Sequence, residues 1–152
     1  MRILIDADGC PVTGIAEETA FRENIQCLIF CDTSHILESP YAQIIICEKG
    51  LDSVDFAILN RCRKNDIVIT QDYGLASMCL VKKSFPINQN GSRYTNENID
   101  SLLNSRYISK KARQTGIRTK GPAKRKPEQD EKFRKNLQKL ISHIRNTEND
   151  AY

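Results

Sequence analysis

Two aspartates one residue apart, Asp6 and Asp8, follow the apolar run Ile3-Leu4-Ile5 near the start of a 152-residue chain. A third, Asp72, follows a second run, Ile67-Val68-Ile69-Thr70, and Asp52 and Asp55 lie on the stretch that leads into it. Carboxylates gathered in one place repel one another, so such a cluster calls for cations. Oxygen ligands without histidine or thiolate suit Mg²⁺ or Mn²⁺. Ions of that kind activate water and stabilise both oxygens of an in-line phosphoryl displacement. Each aspartate also has an ordinary reading as a helix cap or turn residue, which Asp52 and Asp72 would satisfy well. Asp6 and Asp8 fit that reading less, because two acids so close at a strand mouth are not both needed for capping.

The elements that must position these residues are legible as short apolar runs alternating with helical spacing. Strands are expected at 2–5, 27–31, 44–47 and 67–70, with a weaker fifth at 85–87. Helices are expected from about 12 to 24 (with Pro11 at its first position), from Asp52 or Ser53 to about 64, and from 73 to 83. The order implies a parallel sheet covered by helices on both faces, with residues 1–87 as an α/β core. Ligands bind such sheets outside the carboxyl ends of the strands, where strand order reverses. If strands one and four are neighbours, Asp6, Asp8 and Asp72 converge there, within reach of Asp52 and Asp55. Asp66 precedes its strand and belongs at the opposite end. Beyond the core, 88–127 reads as a basic, irregular extension with one short helix capped by Thr95. Residues 128–146 read as an amphipathic helix whose Phe133, Leu137, Leu140, Ile141 and Ile144 form one stripe. The whole is expected to be one domain.

Hydrophobic residues make up 39% and charged residues 28% of the chain, an ordinary composition for a soluble protein. No run approaches the roughly 7–15 apolar residues of a secretory signal or the roughly 20 of a membrane span, so a cytoplasmic address and no membrane partner are expected. Six cysteines with no C-x-x-C pair, and only His35 and His143, argue against structural zinc. The net charge of +4 hides a dipolar layout. Nine basic residues and no acid lie between Arg106 and Lys126; without them 14 basic residues face 19 acids, a net −5. A basic segment of this kind attracts phosphates, and nucleic acid is the expected partner. Arg93, Tyr94, Arg106, Lys110 and Lys111 are the candidate substrate-binding residues. Their rival role is to pack the tail on the body with charged tips in solvent.

The stretch Asp6-Ala7-Asp8-Gly9-Cys10-Pro11 resembles the opening of the uncharacterised bacterial YaiI/YqxD family. The resemblance continues through Gly50-Leu51-Asp52-Ser53-Val54-Asp55, Asn65-Asp66-Ile67-Val68-Ile69-Thr70-Gln71-Asp72-Tyr73-Gly74-Leu75-Ala76 and Asn90-Gly91-Ser92-Arg93-Tyr94-Thr95. It reaches Arg106, Gly121-Pro122 and Phe133, so it spans nearly the whole chain. That family is grouped with PIN-like domains, which implies a three-layer α/β/α sandwich of four or five mainly parallel strands, here with a C-terminal helical tail. Many PIN domains are metal-dependent ribonucleases. By this resemblance Asp6 matches the first PIN acid, Asp55 the acid on the helix before the fourth strand, and Asp72 the acid of the T-x-D motif. The second acid has Asp8, Glu17 or Glu18 as its candidates. The chain departs from its family with Gly9 for the usual Ala, Gly74 for Pro, and Gln89-Asn90 for a Pro-Arg pair, which removes a cation expected near the site.

Two other readings are kept. Ile3-Leu4-Ile5-Asp6-Ala7-Asp8-Gly9 also resembles the first motif of haloacid-dehalogenase-type phosphatases, with Asp6 as nucleophile and Asp8 as general acid. Cys10-Pro11 and the lone Asp72 after the fourth strand depart from that pattern. Alternatively the protein binds nucleic acid without cutting it. Cys10 sits between a strand end and a helix start, where a thiolate is favoured, but no partner His is near in sequence; a structural or metal-adjacent thiol is expected. The leading expectation is a Mg²⁺- or Mn²⁺-dependent phosphodiesterase acting on RNA rather than DNA. Asp6, Asp8, Asp55 and Asp72 would be catalytic, and the same four with Asp52 would hold metal.

Overall fold

The apolar runs pair side by side in a five-stranded sheet whose neighbours are all parallel. The computed structural model describes residues 1–34, 37–117, 121 and 123–151. His35, expected in a loop, lies outside the described residues, as do Arg118, Lys120 and Pro122. The strands are β1 (Ile3–Asp6), β2 (Cys27–Asp32), β3 (Gln43–Cys47), β4 (Ile67–Ile69) and β5 (Phe85–Ile87). The helices are α1 (Thr13–Arg22), α2 (Ser53–Arg61), α3 (Tyr73–Val81), α4 (Ile99–Gln114) and α5 (Pro127–Asp150). Strand order is β3-β2-β1-β4-β5, so the chain builds outward from β1 to one edge and then returns to β1's other side. The reversal falls between β1 and β4, where the open-sheet rule places a ligand.

Alternation along the central strands divides the core in two. Ile3, Ile5, Ile29, Ile67 and Ile69 face α1 and α5, and are buried with Ala16, Ala20, Phe133, Leu137 and Ile141. Leu4, Leu28, Phe30 and Val68 face the other way, onto Ile58 and Leu59 of α2 and Leu75 and Cys79 of α3. The result is a three-layer α/β/α sandwich with α4 packed on α3. Each buried Leu, Ile or Phe side chain contributes about 1.5–3 kcal/mol, and the stripe on α5 supplies five of them, so that helix belongs to the core.

Several boundaries differ from expectation. β3 was expected to be covered on both faces, but it pairs only with β2 and lies at the sheet edge, with Gln43 and Ile46 exposed. Pro11 precedes α1 rather than opening it, and Val12 takes the N-cap position. The stretch expected to be irregular is helical as far as Gln114. Ser, Arg, Lys and Ala tolerate helix well, and nothing breaks it before Gly116 at φ +82°. α5 begins at Pro127, a residue suited to the first helical position, and runs past 146 to Asp150.

Candidate functional site

Parallel pairing sets the carboxyl ends of β1, β2 and β4 side by side. A pocket of about 650 Å³ opens there, lined by Asp6, Asp8, Asp32, Asp52, Asp55 and Asp72. Asp6 closes β1 and Asp32 closes β2, so both project from strand ends. Asp72 is the N-cap of α3 and accepts the Leu75 N–H at 3.1 Å; it caps a helix and faces the pocket at once. Asp52 holds the N-cap position of α2 at φ +61° but makes no side-chain cap bond. Its ordinary reading as a cap is therefore not what its carboxylate does. Asp55 lies one turn along the same helix.

Thr70 ties the two halves together. Its hydroxyl donates to Asp6 Oδ2 at 2.9 Å and accepts the Asp72 N–H at 3.0 Å. Gln71 Nε2 donates to the Gly9 carbonyl at 2.8 Å, joining the loops after β1 and β4. Against this negative charge stands Arg106 of α4, 3.6 Å from Asp72 Oδ1 and mostly exposed. Ser105 and Ser109 of the same helix complete that wall.

The electrostatics record the crowding. Burial raises the Asp6 pKa, the Thr70 hydroxyl holds it down in part, and Asp72 and Asp8 push it further up. Asp55 is raised to about 6, first by burial and then by Asp72, Asp6 and Asp52, with Arg106 opposing. A hard divalent cation would relieve that repulsion, and a donor set made only of carboxylate oxygens suits one. Among the described residues, however, no three His, Cys, Asp or Glu side chains are gathered as a metal-holding group. The carboxylates line the cavity without gathering on one point.

The other sequence candidates divide. Arg106 lines the pocket, whereas Lys110 and Lys111 do not; both are exposed on α4, with Lys111 Nζ 5.5 Å from the Tyr107 ring centre. Tyr94, expected to face phosphate, is only 4% exposed and donates its hydroxyl to the Thr70 carbonyl at 3.1 Å. It buttresses the turn that carries Asp72. Arg93 lies over the Phe85 ring, away from the pocket, because an antiparallel bridge to Ile87 sets it beside β5. Glu17 bonds Ser39, and Glu18 pairs with Arg22 and Arg134. Of the three candidates for the second acid, only Asp8 lines the pocket. Cys10 is half-buried against the α1 side of the core and does not line it either. Gln89 and Asn90, where the loss of a cation was expected to matter, also lie outside the pocket lining. Arg125 reaches them from elsewhere in the chain, donating to the Gln89 carbonyl and to Asn90 Oδ1.

Sequence reasoning missed Asp32, Ser105 and Ser109. Asp32 follows the run at 27–31 as Asp6 follows Ile5, so the signal was available. The serines were hidden because residues 88–127 read as irregular with only a short helix, whereas α4 runs to Gln114.

A three-layer α/β/α sandwich with an acidic pocket at its strand-order reversal is the class that fold and site define. The chain belongs to the uncharacterised bacterial YaiI/YqxD family, whose model matches residues 4–143. It is 49% identical over 141 residues to a UPF0178 protein of Clostridium kluyveri, covering 93% of each chain. A UPF0178 protein of Clostridium acetobutylicum is 47% identical over 143 residues, covering 93% of this chain and 97% of that one. One from Exiguobacterium sibiricum is 44% identical over 142 residues, with the same coverage. No solved structure matches the chain. No helix among the described residues is long and apolar enough to cross a membrane.

Proposed function

We propose that the protein is a divalent-metal-dependent phosphodiesterase of the PIN-like kind, cytoplasmic, with RNA as its preferred substrate. The observation that carries this reading is the convergence of six aspartates on one pocket, with a single arginine at its wall. Asp6, Asp8, Asp52, Asp55 and Asp72 would hold Mg²⁺ or Mn²⁺. The bound metal would supply an activated water and charge stabilisation for the in-line displacement. Thr70 keeps Asp6 and the start of α3 in register, so that two strand ends present their carboxylates together. Arg106, able to leave its exposed contact with Asp72, would hold a non-bridging phosphate oxygen, with Ser105 and Ser109 donating beside it. Without a cation, burial and the neighbouring carboxylates push the Asp55 pKa up to about 6, and a bound divalent metal would bring it back down by favouring the carboxylate.

The test is calorimetric titration with Mn²⁺ of the wild type and of Asp6→Asn, with cleavage of labelled RNA, DNA and p-nitrophenyl phosphate followed in the same buffers. The expected result is metal binding that Asp6→Asn abolishes and metal-dependent RNA cleavage. Hydrolysis of the monoester alone would replace this reading with the phosphatase one, in which Asp6 is the nucleophile. Metal binding without cleavage of any substrate would leave a non-catalytic nucleic-acid binder. No metal binding by the wild type would end the proposal.

A further inference from the structure

A groove of about 300 Å³ lies between α5 and the turn after β5, with Arg93 on one wall and Asn136, Lys139, Leu140 and His143 on the other. It shares Lys139 and His143 with an adjoining hollow of about 530 Å³ that extends past Lys135 along α5. No carboxylate lines either hollow, whereas Glu128 and Glu131 line a third, of about 510 Å³, on the other side of Lys135 and Lys139. Among the described residues, Arg93, Lys135 and Lys139 have no ion-pair partner. Arg93 is held in place by its guanidinium lying 5.0 Å from the Phe85 ring centre. His143 meets the same ring edge-on at 6.3 Å. A stacked guanidinium keeps its N–H fork open to an oxyanion, with little freedom left to lose. Lys135 and Lys139 are one helical turn apart, about 6 Å along the axis, so their charges repeat along the adjoining hollow that both line.

We propose that this groove binds the phosphate backbone of a nucleic acid, at a site separate from the aspartate pocket, with which it shares no lining residue. A row of cations suits a polymer of repeated single charges. An acidic protein is disfavoured because protein docking rests on apolar or aromatic anchors seated in pockets. The only aliphatic lining residue, Leu140, is itself buried in the core. The site does not depend on whether the aspartate pocket cuts anything.

Fluorescence anisotropy tests it, with short labelled single-stranded RNA, DNA of the same sequence and poly-glutamate as probes, in EDTA so that no cleavage intervenes. Lys135→Glu/Lys139→Glu is expected to weaken RNA and DNA binding by about tenfold or more. It should also flatten the salt dependence by roughly 1.4 in log–log slope, 0.7 for each lost phosphate contact on a single strand. Arg93→Ala should weaken binding several-fold. Lys64→Glu, a single charge reversal on the α2–β4 connection, should stay within about twofold, against a larger loss for Lys139→Glu alone. The milder Lys135→Gln/Lys139→Gln pair, with melting temperatures for every variant, guards against misfolding. Equal effects of Lys139→Glu and Lys64→Glu, tighter binding of poly-glutamate than of RNA or DNA, or no nucleic-acid binding by the wild type would each overturn the proposal.

Discussion

Asp66 and Asp6 are the same residue type at opposite ends of neighbouring strands, and their surroundings differ in almost every respect. Asp66, at the amino end of β4, is 2% exposed. It accepts the Arg2 N–H at 3.0 Å, Arg2 Nε at 3.2 Å, Arg2 Nη2 at 2.6 Å and the Arg63 N–H at 2.9 Å. Asp6, at the carboxyl end of β1, accepts the Thr70 hydroxyl, is helped by the Asp8 backbone N–H, and faces the Asp72 and Asp8 carboxylates. At one end each carboxylate oxygen has nitrogen donors; at the other, acids outnumber the single arginine at the wall. The amino end is built for stability, whereas at the carboxyl end six aspartates and one arginine line the same pocket.

The contrast can be broken most sharply at Asp66. Asp66→Ala strands the Arg2 guanidinium and the partly buried Arg2 and Arg63 backbone N–H groups, and should cost about 3 kcal/mol in urea unfolding. A loss under 1 kcal/mol would mean that the pair is not structural. Next comes Thr70→Val, which removes the bridge between Asp6 and the Asp72 N–H and should cost about 1–2 kcal/mol. Because the Thr70 hydroxyl holds the Asp6 pKa down, the variant should also titrate Asp6 at higher pH, read by carboxyl NMR.

Asp55 sharpens the comparison through pH. Its pKa of about 6 lies above the ordinary 3.8, so the folded state takes up protons that the unfolded chain does not. Its penalty is absent below about pH 4, grows as pH rises through 6, and is complete above that. In metal-free buffer Asp55→Asn should therefore match the wild type near pH 4 and exceed it near pH 7. The gain should be no more than about 1 kcal/mol, because Asp55 is largely solvent-screened. Saturating Mg²⁺ should remove or reverse the gain, and a gain unchanged by Mg²⁺ would count against a cation at this wall. The smallest effect is Arg106→Gln. Its exposed 3.6 Å contact should be worth a few tenths of a kcal/mol at most in thermal melts, while RNA affinity measured in EDTA should fall several-fold if Arg106 meets phosphate.

The sheet was readable because its strands are so apolar. Ile3-Leu4-Ile5, the run at 27–31 and Ile67-Val68-Ile69 have no competing solution but a strand covered on both faces. Asp6 and Asp72 were readable because each follows such a run at its carboxyl end, and Asp52 and Asp55 because they open the stretch that leads into the fourth strand. Asp32 could have been added by the same rule. Other assignments failed for reasons that sequence spacing does not encode. Arg93 and Tyr94 are adjacent, yet Tyr94 turns inward to the Thr70 carbonyl and Arg93 outward over Phe85. Glu17 and Glu18 lie on α1, whose core-facing side looks away from the α2–α3 layer, so neither reaches the pocket.

The sequence by itself determined the α/β alternation, the buried strands, the amphipathic tail helix and which aspartates stand at which strand ends. Hydrophobic periodicity is local, and it decides such matters within a few residues. Only the tertiary structure decided that β1 and β4 adjoin, that α4 brings Arg106 with Ser105 and Ser109 to the acidic pocket, and that α5 sets Lys139 in one groove with Arg93 and Lys135 in the hollow beside it. Those are contacts between segments far apart in the chain, set by how the layers stack, and charge alone carries no record of which face will meet which.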